Sequence, residues 1–127
     1  SAARLADARE ALSTEVLATI DPEFLKEEEI AEVFPEGVAC RYAYAEKSPP
    51  VFVVGDTTDG LVGLVKISGD LVQLPTEDAT RQGGTFEAEP IVAELRESGD
   101  GDLYDLIVTA GTEYEAGFRG HYVCAAS

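Results

Sequence analysis

Few residues of this chain have the type and spacing that catalysis needs. His121 is the one histidine, between Gly120 and Tyr122 and close to Cys124. A Cys–His nucleophilic pair there would need a free thiolate. Cys40 and Cys124 are the two cysteines, and an even count fits a bridge in an oxidising compartment. Two unpaired, buried cysteines are the alternative. A Ser-His-Asp triad needs a serine on a nucleophile elbow, and no serine has that context. Paired carboxylates can hydrolyse a glycoside, but among 25 acids such pairs arise by chance. Two cysteines and one histidine fall short of a closed zinc site. Gly55-Asp56-Thr57-Thr58-Asp59-Gly60 and Asp100-Gly101-Asp102-Leu103-Tyr104-Asp105 put carboxylates on flexible turns, as calcium requires, without the full EF-hand pattern. Their Asp-Gly pairs read as turn chemistry. Gly83-Gly84 lacks the spacing and following helix of a phosphate loop. The expectation is no catalytic residue, no metal and no cofactor.

The elements that carry these residues fall into two parts. From Ala2 to Ile20, Leu5, Ala8, Leu12, Val16 and Ile20 recur at three- and four-residue steps, the stripe of an amphipathic helix. That stripe is expected to pack on the rest of the molecule, because an isolated helix of this length is marginal in water. Asp21-Pro22 has the chemistry of an N-cap and first helical position. Leu25, Ile30, Val33 and Phe34 supply the apolar side of a second helix, which Pro35-Glu36-Gly37 ends. The run Lys26-Glu27-Glu28-Glu29 reads as a solvated helix face.

At Val38 the period changes to 2, with Val38, Cys40, Tyr42 and Tyr44 on one face. Further strands are expected over Val51–Val54, Leu61–Ile67, Leu71–Leu74, Gly84–Glu89, Ile91–Leu95, Leu103–Thr109 and Phe118–Cys124. Ser68-Gly69-Asp70 marks a hairpin, and Ser98-Gly99-Asp100-Gly101-Asp102 a loop. The fold class is α+β in a single domain over residues 1–127. A helical preface of two helices (1–37) precedes a mostly antiparallel β body of about eight short strands (38–127), a small barrel or sandwich. Cys40 and Cys124 lie in its first and last strands. They become neighbours if the sheet closes.

The chain is 127 residues long with a formal charge of −16 and 45% hydrophobic residues, enough to bury a core. That charge repels nucleic acid and anionic lipid and attracts basic proteins. Acidity also serves solubility, or adaptation to salt, with no partner at all. No apolar run is long enough to span a membrane, so direct insertion is not expected. The chain contains no Met. With the paired cysteines, that points to a removed leader and an exported protein, periplasmic or lipid-anchored at the cell envelope.

Four features of the β body carry a family resemblance. Cys40 lies in the first strand, and Tyr122-Val123-Cys124 ends the last. Between them come Gly83-Gly84-Thr85-Phe86 and a strand ending Glu94-Leu95-Arg96-Glu97-Ser98-Gly99. Residues 38–127 thereby resemble the membrane-bound or periplasmic inhibitors of c-type lysozyme, small exported eight-stranded barrels with a disulfide. Arg96 stands where that family has a lysine, and the family's tryptophan has no counterpart. The resemblance implies a non-catalytic binding or inhibitor module that meets a basic protein such as lysozyme. Gly83, Gly84, Thr85, Phe86 and Arg96 are then the residues that touch the partner. The alternatives are a barrel for a small apolar ligand and a carboxylate-based hydrolase.

Overall fold

The computed structural model describes residues 3–13, 21–112 and 114–125. Eight strands form one antiparallel sheet: β1 (Cys40–Ala43), β2 (Phe52–Thr57), β3 (Gly60–Ile67), β4 (Asp70–Pro75), β5 (Gly84–Ala88), β6 (Ile91–Asp100), β7 (Leu103–Ala110) and β8 (Tyr114–Cys124). Their spatial order is β4-β3-β2-β1-β8-β7-β6-β5. Two four-stranded meanders are thus joined where the first strand pairs with the last. The sheet curls until β4 and β5 approach each other without forming a ladder. The fold is a nearly closed barrel with one seam.

All eight expected strands are present, with β8 beginning four residues earlier than expected, at Tyr114, and β2 running on to Thr57. Ser68 and Gly69 turn the β3–β4 hairpin with φ of 52° and 82°, both left-handed, as a twisted two-residue hairpin requires. β6 runs on through Ser98 to Asp100, where a loop was expected, with a register shift between Glu97 and Asp100. The Ser98 hydroxyl donates to the Leu103 carbonyl at 2.6 Å and holds that irregular end together.

The main core fills the barrel. All eight strands contribute, among them Tyr42, Phe52, Val65, Leu74, Phe86, Leu95, Leu106 and Tyr122. Cys40 and Cys124 face each other across β1 and β8 and are disulfide-bonded. Phe52 and Phe86 meet edge to face at 5.3 Å. Gly63 gives them room, since a Cβ there would lie 2.7 Å from the Phe52 ring.

The helical preface is less helical than the apolar spacing suggests. α1 covers Ala8–Ser13 and α2 covers Glu27–Val33. Val16 and Ile20, and the side chain of Leu12, lie outside the description. Leu5 is not helical. It forms a parallel bridge to Leu71, and its side chain is 52% exposed. The backbone pairing to β4 takes residues 4–6, so the helix starts late, and Ala8 and Ala11 become the residues buried in the main core. Asp21-Pro22 does not open the second helix either. Residues 21–26 run without helix because Glu23 N–H donates to the Lys66 carbonyl and Leu25 N–H to the Pro50 carbonyl. The helix begins only after Lys26.

A second, smaller core forms beneath α2. Leu25, Ile30 and Phe34 cover Val53, Leu64 and Leu71 on the outside of β2–β4. The run Lys26–Glu29 is not wholly solvated. Glu27 and Glu28 are exposed, but Glu29 is only 5% exposed. Its carboxylate accepts from the Lys26 N–H at 2.9 Å and from the Lys66 ammonium at 2.9 Å. A carboxylate is stable there because it is paired and hydrogen-bonded.

Candidate functional site

The seam between β4 and β5 carries a cleft of about 610 Å³. β4 supplies Pro75, the β4–β5 connection supplies Thr76, Glu77 and Asp78, and β5 with its turn supplies Thr85, Glu87 and Glu89. Period 2 explains the β5 wall: Phe86 points into the barrel, so Thr85 and Glu87 share the outer face. Thr76 ties the two walls. Its hydroxyl donates to the Thr85 carbonyl at 2.6 Å and accepts the Ala79 N–H at 2.8 Å. At the other end of the seam, Arg9 of α1 reaches Glu89 at 3.4 Å. Among the described residues, four carboxylates and no Lys or Arg line the cleft.

The residues expected to touch a partner are divided by the fold. Thr85 lines the cleft. Gly83 and Gly84 stand at its upper end, with φ of 132° and 135°. Close packing accounts for both. A Cβ on Gly83 would lie 2.5 Å from the Leu95 carbonyl oxygen, and one on Gly84 2.6 Å from the Ala79 Cα. Phe86 is fully buried in the main core, so its ring is not available on the surface. Arg96 lies on the outer face of β6, paired with Glu94 at 3.6 Å and opposite Asp105 in the ladder. It lines a different, shallower depression with Asp105, Ile107, Gly117, Phe118 and Arg119. There Arg119 grips Asp105 with two hydrogen bonds, of 2.8 and 3.2 Å. Those hydrogen bonds and the guanidinium charge hold the Asp105 carboxyl below the usual carboxylate range.

Sequence reading missed Glu77, Asp78, Glu87 and Glu89. The alternation of Thr85, Glu87 and Glu89 was a visible signal for the β5 wall. Nothing in the sequence marked the loop acids as their neighbours.

The two acidic turns do not converge as a cation cage. Asp56 pairs with Arg81 at 3.7 Å, Asp102 lies 3.5 Å from His121 Nδ1, and Asp105 is held by Arg119. Among the described residues, no group of three or more Asp, Glu, His or Cys side chains is placed to hold a metal ion. No described helix is long and apolar enough to cross a membrane. Residues 1–127 match the family model DUF6692, a domain of unknown function. The chain belongs to the DUF6692 family. No curated protein and no solved structure matches this DUF6692 chain.

Proposed function

We propose that this DUF6692 chain is an exported, non-catalytic binding module whose partner is a basic protein, lysozyme among the candidates, held at the acidic cleft of the β4–β5 seam. The observation that carries the reading is the cleft itself: Glu77, Asp78, Glu87 and Glu89 around one groove, with Arg9 at its end, paired to Glu89, the one cation within reach among the described ion pairs. A surface of this sign accelerates encounter with a cationic partner and disfavours acidic ones. The filled interior supports this reading over a barrel for an apolar ligand, since Tyr42, Phe52, Phe86 and Leu106 occupy the space such a ligand would need. The disulfide supports export, because such bridges persist in oxidising compartments.

The test is binding to, and inhibition of, a c-type lysozyme at about 0.15 M salt, where charges farther apart than roughly 8 Å are largely screened. The expected result is binding that survives this salt, weakens on joint Glu87→Lys and Glu89→Lys substitution, and is indifferent to Arg96→Glu. Binding that disappears with salt, or that follows Arg96 instead, overturns the assignment to the cleft.

A further inference from the structure

We propose that the β5 edge of the seam is a strand acceptor: an extended segment of the basic partner pairs its backbone with the Thr85 N–H and with both backbone groups of Glu87, and sets alternate Lys or Arg side chains against Glu87 and Glu89. The inference rests on the binding reading above and adds the conformation of what is bound.

Six of the eight strands have neighbours on both sides, and the sheet order leaves β4 and β5 as its edges. The β4 edge is used at its start. Leu71 N–H donates to the Arg4 carbonyl and Ala6 N–H to the Leu71 carbonyl, each at 2.7 Å. The chain's own residues 4–6 are therefore a short added strand. They stop because Asp7 turns into α1, its carboxylate accepting the Glu10 N–H at 2.8 Å. Further along, Gln73 also turns outward, but the cleft's carboxylates lie on the β4–β5 connection and on β5 with its turn rather than beside it, and Pro75 has no N–H to offer.

The β5 edge is different. Gly83 exchanges both backbone bonds with Thr80, so its groups point away from β6. Backbone direction alternates along a strand, which turns Thr85 and Glu87 the same way. The Thr85 carbonyl confirms the direction by accepting from Thr76 Oγ1. The Thr85 N–H and both backbone groups of Glu87 have no protein partner among the described residues. Unpaired edge groups are templates for strand addition.

Charge selects the occupant. A strand laid on this edge places every second side chain on the outer face, beside Glu87 and Glu89. Arg9, the chain's own cation, already reaches Glu89. A second copy of the chain brings the same carboxylates against these and another −16 of charge, so like charges oppose self-pairing. A helical basic segment satisfies the carboxylates but leaves the backbone groups unpaired.

The experiment uses the whole chain and three synthetic peptides of about seven residues, a strand's usual length. One has lysine at every second position with threonine between. The second has the same composition with the lysines in one block. The third is the alternating peptide with every backbone amide N-methylated, so that neither edge of it can donate. Binding is followed by calorimetry at about 0.15 M salt. The expected result is that the alternating peptide binds about tenfold tighter than either control, a difference of about 1.4 kcal/mol, and that joint Glu87→Lys and Glu89→Lys removes its binding while circular dichroism stays unchanged. Equal binding of all three peptides overturns strand addition and leaves the acidic cleft standing. Binding of lysozyme without binding of any peptide also overturns strand addition alone. Failure of every peptide and of lysozyme overturns both readings. A dimer of the free chain that dissolves on Glu87→Lys assigns the edge to a second copy and overturns the proposal.

Discussion

The two halves of the barrel share an architecture and differ in what covers them. In β1–β4, the outer faces of β2, β3 and β4 lie under α2 and the segment leading to it, so Val53 and Leu64 are as buried as the Phe52 and Val65 that face inward. Among the described residues the second core has no member in β5–β8, and strands such as β7 alternate strictly between buried and half-buried residues. The outer side of that half carries charge pairs such as Arg119–Asp105 instead of apolar contacts. One half is a three-layered structural unit. The other has no such cover among the described residues and carries, at its edge, the acidic cleft. Stability should therefore concentrate in the first half and binding in the second.

The largest effect is expected where the halves are joined. Replacing Cys40 and Cys124 together by alanine releases a loop with a sequence separation of 84. The chain-entropy model assigns such a loop about 4–5 kcal/mol, a large share of a small domain's stability. Urea denaturation with and without reductant measures it. Next comes the cover itself. Phe34→Ala should cost about 3–4 kcal/mol, since its buried ring lies on Gly55 beneath α2. The matching change on the uncovered side, half-buried Ile107→Ala, should cost no more than about 1 kcal/mol. Equal losses in the two variants would erase the distinction between the halves.

A smaller effect is expected from Glu29→Gln, about 2 kcal/mol at neutral pH, the scale of hydrogen bonds to a charged group. Burial alone would raise the Glu29 carboxyl, but the Lys26 N–H and the Lys66 ammonium outweigh it, so its value lies below that of an ordinary glutamate. Its contribution is then complete above the unfolded value of about 4.3 and is lost as pH falls through the lower folded value. The gap between wild type and Glu29→Gln should shrink on acidification. A gap that stays constant with pH would mean the pair is not what anchors α2.

How much of this could be read from the sequence followed the periodicity. The eight strands were legible because alternation at Val38–Tyr44 and Leu103–Thr109, and turn residues such as Ser68-Gly69, are local signals. The Cys40–Cys124 bridge followed from closing the sheet. The helices were less legible because tertiary contacts overrode propensity. Glu23 and Leu25 gave their N–H groups to Lys66 and Pro50 instead of to a helix cap, and Leu5 gave its segment to β4. The cleft was the least legible part. It depends on Glu77 and Asp78 meeting Glu87 and Glu89 across a seam, a juxtaposition set by how far the barrel closes. Phe86 misled for a related reason: an aromatic in a strand takes the core face or the outer face according to a register that one residue can reverse.

Amide hydrogen exchange across residues 70–95, with and without a saturating basic partner, tests the central claim most directly. In the free chain the Thr85 and Glu87 amides should exchange fast while those of Gly84 and Phe86, turned toward β6, are slow. On binding, Thr85 and Glu87 should become protected, and the Arg96–Arg119 face should not change. Slow exchange of Thr85 and Glu87 in the free chain, or protection that appears only around Arg96 and Arg119, would contradict the account.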